Sequence, residues 1–126
     1  MAAGNYYGAN ACAFSPASSS EAMITGSTNI NDMISNFLML VLVLIFLHQE
    51  NIHSTWIGLH GSKLLSGTSM ASSHVAGAIA LIISEKGNMS PKKMKSMIIK
   101  LATRGVLKNT ESTNPPYHNK MLYVNI

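Results

Sequence analysis

From Thr68 to Ser84 the chain carries no Asp, Glu, Lys or Arg. Thr68 or Ser69 is a suitable N-cap and Gly87 a suitable C-terminal stop, so the stretch is predicted to be one long helix. Helices that are apolar on most faces are usually buried. Alanine and glycine recur along it and keep it thin, so a sheet or another helix can approach closely. The chain must therefore adopt a fold with a central buried helix.

Short strand candidates precede this helix, which favours an α/β layer arrangement. They are 22–26, the apolar run 38–46 and 53–57, and residues 1–5 are typical of a strand that ends in a loop. Residues 6–21 and 58–66 are predicted to be loops. Near the end of the chain, 121–124 is a further candidate strand.

A second helix is predicted after Ser90, which serves as N-cap with Pro91 at the first helical position. Its apolar residues recur at helical spacing while several lysines lie between them, so it is an amphipathic surface helix. Most of the basic residues of the chain follow residue 85. Because no aromatic residues interleave with these lysines, binding to nucleic acid is not expected.

Charged residues make up 11% of the chain, less than half of the usual proportion of about 25%. Such a chain either buries an unusually large share of its residues or is part of a larger protein. The apolar run 37–47 is shorter than the roughly 20 residues that span a bilayer, so a membrane-surface role is the less favoured alternative. The start of the chain lacks the features of a signal peptide. Cys12 is expected to be a small buried residue.

Two residues suggest acyl-transfer chemistry. Ser69 stands at a predicted helix N-terminus, where free amides and the helix dipole stabilise negative charge. Asn5 follows a glycine at a strand end, and its side-chain amide is suited to act as a second oxyanion donor. Judged on the residues alone, Ser69 is either a nucleophile or part of an ordinary helix cap. The spacing of His, Cys, Asp and Glu predicts no metal site and no cofactor.

The motif Ser66-Gly67-Thr68-Ser69-Met70-Ala71-Ser72, followed by His74-Val75-Ala76-Gly77, resembles the nucleophile motif of subtilisin-like serine proteases. Ala2-Ala3-Gly4-Asn5 resembles the segment that bears the oxyanion-hole asparagine of that family. Ser54-Thr55-Trp56-Ile57-Gly58 is similar to a strand of the proteinase K-like branch. The resemblance is strongest over residues 1–36 and 52–110, whereas residues 37–50 depart from the family pattern.

The resemblance implies a partial peptidase domain over residues 1–126, the C-terminal half of a subtilisin-like α/β domain. Its parallel strands would pack on a central buried helix that begins near Ser69. Ser69 would be the nucleophile and Asn5 the oxyanion donor, while Ala2, Ala3 and Gly4 would line a wall of the substrate-binding pocket. The implied activity is serine-type endopeptidase on peptide or protein substrates, without a cofactor, in an extracellular or vacuolar location.

The triad aspartate and histidine of that family have no matching segment in this chain. Asp32 falls in a polar loop, and His60 matches a loop position rather than the catalytic histidine motif. His74 lies five residues after Ser69, about 140° around the helix, so it is expected to be structural. We therefore expect little or no activity from the isolated chain. The alternative is a non-catalytic binding fragment that pairs with a separate N-terminal half.

Overall fold

The computed structural model describes residues 1–36, 39, 45–48, 51–58, 61–108 and 119–122, with the backbone alone for 45–48 and 51. After a short 3-10 helix at Ala11–Ala13, the elements in chain order are β1 (Thr25–Thr28), β2 (Ile45–His48), β3 (Asn51–Thr55), β4 (Ser62–Ser66), α1 (Thr68–Lys86), α2 (Pro91–Leu101), β5 (Thr103–Arg104) and β6 (Lys120–Met121). The described part of the chain is therefore a mixed α/β structure, as the sequence predicts.

The strands form a four-stranded sheet and a separate hairpin. In the sheet the order is β1-β2-β6-β5, where β1 pairs with β2 and β2 with β6 in parallel, while β5 and β6 are antiparallel. The hairpin consists of antiparallel β3 and β4. The sequence predicts parallel strands. Parallel pairing is found between β1 and β2 and between β2 and β6, whereas the other two pairs are antiparallel.

Residues 1–3 extend the sheet beyond β1. The backbone N–H of Thr25 donates to the Met1 carbonyl over 2.7 Å, and that of Ala3 donates to the Thr25 carbonyl over 2.9 Å. This parallel register places Gly4 and Asn5 just past the paired residues. Instead of the end of a strand, which the sequence predicts for residues 1–5, the structure has a single parallel bridge between Ala2 and Thr25.

Two core clusters are described; one surrounds Ala3, Ile24 and Ile34, and the other lies on one side of α1. The buried residues of α1 recur every three or four positions and are Thr68, Ala71, Val75, Ala78 and Ile82. This stripe faces β1 and β2 and packs with Met94 and Ile98 of α2 and with Leu122. In α2 the Ser90 hydroxyl accepts a hydrogen bond from the Lys93 amide, so the predicted cap is confirmed.

The other faces of α1 are exposed, so the expectation of burial on most faces is wrong. Gly77, Leu81 and Ile83 are among the exposed residues, and Leu81 keeps 51% of its surface accessible. The sheet and α2 contact one stripe of α1, and within the described residues no element covers its opposite side. Small residues on every face do not mark which side is buried.

Several local predictions also differ from the structure. The predicted loop 58–66 contains strand β4, because its residues pair with β3 from Asn51 to Thr55. Cys12 is exposed, since its neighbour Ala11 takes the buried position in the 3-10 turn. Most of the predicted strand 38–46 lies outside the described residues, and β2 begins at Ile45. Within the described part, no helix is long and apolar enough to span a bilayer.

Candidate functional site

The N-terminus of α1 is held by Asn5, a residue near the start of the chain. The N-cap position is Gly67, which has no side chain to contribute, and Asn5 takes over this role. Its Oδ1 accepts hydrogen bonds from the Thr68 amide at 3.1 Å and from the Thr68 hydroxyl at 2.8 Å. The prediction that Thr68 or Ser69 is the N-cap is therefore wrong, because both lie inside the helix.

Thr68 links Gly4 and Asn5 to the start of α1. Its buried hydroxyl accepts a hydrogen bond from the Gly4 amide at 3.1 Å and donates its proton to Asn5 Oδ1. Because Asn5 Oδ1 faces these two donors of Thr68, its Nδ2 group is left to donate elsewhere. Sequence reasoning missed this role of Thr68, although the residue stands inside the recognised motif.

Gly67 allows the close approach of Asn5 to the helix. A Cβ atom at position 67 would lie 2.9 Å from Asn5 Nδ2, closer than side chains tolerate, and the φ angle of +153° also favours glycine. The glycine of this motif is therefore required by packing against the asparagine amide.

Ser69 is the next residue of the helix, and it is exposed. Its carbonyl accepts a hydrogen bond from the Ser73 hydroxyl at 3.1 Å, and its own Oγ has no partner within the described residues. Its backbone N–H belongs to the first turn, whose amides have no acceptor within the helix. Because Ser69 directly follows the residue that binds Asn5 Oδ1, the serine and the Asn5 side chain belong to the same end of α1.

The histidines with described side chains are engaged elsewhere. His74 Nδ1 donates to the Met70 carbonyl at 2.9 Å one turn earlier in α1. His53 Nε2 lies 3.2 Å from the Ser62 hydroxyl on the hairpin. Asp32 lies in the turn after β1, where its carbonyl accepts a hydrogen bond from the Lys108 amide. The side chains of His48, His60 and His118 lie outside the described residues. The described part of the chain therefore places no base beside Ser69, and it holds no cluster of metal ligands.

A cleft of about 560 Å³ lies beside Asn5. It is lined by the predicted wall residues and by a loop, namely Ala2, Ala3, Gly4, Tyr6, Phe14, Ser15, Pro16, Ala17 and Met39. Gly4 has a φ angle of +110°, and a Cβ atom there would overlap the Met39 sulfur. Tyr6 and Phe14 were not predicted for this cleft, and the available signal was the presence of aromatic residues in a loop made mostly of small residues.

A sequence profile for the subtilase family matches residues 45–118. The chain belongs to the subtilase family. It is 37% identical over 124 residues to alkaline serine exoprotease A of Vibrio alginolyticus, a match that covers 98% of this chain and 22% of that protein. It is also 37% identical to alkaline protease 2 of Aspergillus fumigatus, with 91% and 25% of the two chains covered.

The fold is part of a subtilisin-like fold. The crystal structure of a cold adapted subtilisin-like serine proteinase matches with a TM-score of 0.86 at 33% identity, over 99% of this chain and 44% of that one. The chain spans about a quarter of the length of the curated relatives it matches. The resemblance to subtilisin-like proteases inferred from the sequence is confirmed.

Proposed function

We propose that the chain is the nucleophile-bearing, C-terminal half of a subtilisin-like endopeptidase domain, in which the parallel strand pairs pack against α1. The observation that carries this proposal is the Thr68 hydroxyl, which joins Gly4 and Asn5 to the turn that presents Ser69. This contact supports the proposed roles of Asn5 as oxyanion donor and of Ser69 as nucleophile, because it joins distant parts of the sequence at one helix end.

In the reaction, Ser69 Oγ attacks the carbonyl carbon of a peptide bond while a base removes its proton. The carbonyl oxygen becomes an oxyanion that accepts hydrogen bonds from the Ser69 amide and from Asn5 Nδ2. When the C–N bond breaks, the proton passes to the leaving amine, and an ester to Ser69 remains. Water then hydrolyses this ester and releases the acid, so no cofactor is consumed.

The cleft next to Asn5 is proposed to hold the substrate side chain that precedes the scissile bond. Ala2, Ala3 and Gly4 form one wall, and their small size leaves the space open. Phe14 and Met39 suit an apolar side chain. Peptides or proteins are the proposed substrates, and the proposed location is extracellular or vacuolar.

Since the described residues place no base beside Ser69, we expect the 126-residue chain alone to have little activity. A fluorophosphonate probe followed by peptide mass spectrometry tests this, with Ser69→Ala as control. In subtilisin, loss of the histidine costs about 10⁶-fold in turnover. We therefore expect at most trace labelling of Ser69. Rapid labelling that disappears in Ser69→Ala would show that the chain is active by itself.

The second candidate is a non-catalytic binding module, and the β3–β4 hairpin favours it. Trp56, Ile57 and Leu64 are exposed there, with 84% of the Ile57 surface accessible. Two-stranded hairpins are marginally stable without a packing partner. Sedimentation velocity combined with thermal unfolding tests this function. A monomer that unfolds cooperatively by itself would remove the reason for a binding partner.

A further inference from the structure

The side chain of Lys95 reaches from α2 to a loop near the start of the chain. Its Nζ donates hydrogen bonds to the Ser20 carbonyl at 3.0 Å and to the Ala22 carbonyl at 3.1 Å, partners that lie 75 and 73 positions earlier in the sequence. Hydrogen bonds donated by an ammonium group are stronger than those donated by a neutral group. Other lysines of the same helix, such as Lys92, are exposed. Lys95 therefore differs from the ordinary surface lysines of α2.

The two carbonyls belong to a loop that lines the cleft. Residues 14–22, here called the cleft loop, begin with four residues that form part of the cleft wall. The Ser19 amide donates to the Pro16 carbonyl at 3.2 Å, and the Ala22 amide donates to the Ser19 carbonyl at 3.2 Å. Hydrogen-bonded turns therefore connect the contact with Lys95 to the wall of the cleft.

Apolar packing does not fill the space between the cleft loop and the helices. Met23, the residue after the loop, packs against the apolar cluster that includes Ile98. Beside this contact lies a cavity of about 260 Å³, which is bordered by Glu21 on the loop, by residues of α1 and α2 and by Lys95. Close-packed interiors leave few voids of this size, so the side chains of the loop and the helices do not interdigitate here. The Lys95 side chain thus spans a gap that apolar contacts leave open.

On the helix side, the position of Lys95 is fixed by the core. Met94 precedes Lys95 and Ile98 follows it by one turn, and both are buried. They pack with Val75 and other residues of α1, the helix whose first turn contains Ser69. Lys95 therefore joins the cleft loop to the pair of helices that carries the proposed nucleophile.

We propose that Lys95 is a positioning residue for the cleft, because its ammonium group holds the cleft loop at the distance from α2 that forms the cleft wall. Without this contact the loop occupies a wider range of positions, and an apolar side chain in the cleft loses its contact with Phe14. The use of the cleft by a substrate rests on the proposed function, whereas the attachment of the loop to Lys95 does not.

Amide hydrogen exchange in the full 126-residue chain tests the attachment of the loop. Lys95→Met keeps a long side chain and removes its donors, and Lys92→Met makes the same change at an exposed position of the same helix as a control. We expect the Ser19 and Ala22 amides to exchange roughly tenfold faster in Lys95→Met than in the control, because the loop opens more often. Lys95→Arg keeps donors and should restore slow exchange. Equal exchange in the two methionine variants would overturn the proposal.

Binding in the cleft is measured with a probe that requires no reaction at Ser69. N-acetylphenylalanine amide carries an apolar side chain, and the amide resonances of Ala3 and Gly4 report its binding. We expect its dissociation constant to rise roughly fivefold in Lys95→Met, because a mobile wall must be ordered on binding, and to stay unchanged in Lys92→Met. Lys95→Arg should restore the affinity. A lower melting temperature in Lys95→Met with an unchanged dissociation constant would indicate a merely structural role and overturn the proposal.

Circular dichroism verifies that the variants fold, and Lys95→Gln takes the place of Lys95→Met if the latter unfolds. The outcomes also separate this proposal from the proposed function. Binding that depends on Lys95, with no modification of Ser69 by a fluorophosphonate in the presence of imidazole, would support the role of Lys95 and refute the peptidase assignment. Binding that does not depend on Lys95, with reaction of Ser69, would overturn the role of Lys95 alone. Failure of the probe to bind the wild-type chain would overturn both.

Discussion

At the scale of single residues, Thr68 determines the geometry of the site. Its side chain is 1% exposed, and its hydroxyl is the only link described between the Gly4 amide and Asn5 Oδ1. We expect Thr68→Val to lower the free energy of unfolding by about 1 kcal/mol, because the partly buried Gly4 amide loses its acceptor and Asn5 Oδ1 loses one of its two donors. Thr68→Ser keeps the hydroxyl and is the matched control. Urea unfolding measures the difference, and equal losses in the two variants would refute the role of the hydroxyl.

The sequence pointed to Ser69 and Asn5 because both stand in short motifs with a chemical reason. The function of Thr68 was not predictable, since it depends on a hydrogen bond between residues 63 positions apart. Local propensity assigns a threonine before a serine to a helix cap. The actual cap comes from Asn5, which no rule of local spacing identifies.

At the scale of elements, the existence of α1 was predictable and its orientation was not. Residues that end a helix, such as Gly87, act through their own backbone conformation, so the sequence alone indicates where α1 ends. Which side is buried depends on apolar periodicity, and α1 mixes small residues on all sides. In α2 the contrast between lysines and apolar residues is strong, and its buried residues Met94 and Ile98 follow the predicted spacing. Strand β4 escaped prediction because its register comes from pairing with β3.

Two glycines of the same helix region should respond in opposite ways to alanine. Gly77 lies inside α1 with open space at its Cβ position, so Gly77→Ala should stabilise the isolated chain by up to about 1 kcal/mol through helix propensity. Gly87 has equally open space but a φ angle of +77°, so Gly87→Ala should destabilise the chain. Thermal unfolding measures both effects. A shift in the same direction for both would show that backbone conformation does not decide their tolerance.

At the scale of the whole molecule, the first residue is tied into the sheet. The Met1 amino group donates to the Met23 carbonyl at 2.7 Å, and partial burial lowers the pKa of this amino group. The unfolded chain therefore binds more protons than the folded one between the lowered pKa and the ordinary value of about 7.7–8.0. Stability should rise with pH across this window, because the cost of burying the charge disappears.

N-terminal acetylation tests this pH dependence. The acetylated chain keeps an N–H group for Met23 and loses the titrating charge, so this rise with pH should disappear. Urea unfolding at a series of pH values between 6 and 9 compares the two forms. The same pH profile with and without the acetyl group would show that another group is responsible.

The most direct test of the pairing of Ser69 with Asn5 supplies the missing base from solution. Imidazole should accelerate modification of Ser69 by a fluorophosphonate, and mass spectrometry measures the rate at this residue. Asn5→Asp keeps an oxygen acceptor for Thr68 and replaces the amide donor by a carboxylate, which repels an oxyanion, so the cap is retained while the oxyanion contact is lost. We expect the rate in Asn5→Asp to fall by about 100- to 1,000-fold, the loss caused by removing this donor in subtilisin. Equal rates in the two proteins, or modification of Ser62 beside His53 instead of Ser69, would contradict the pairing.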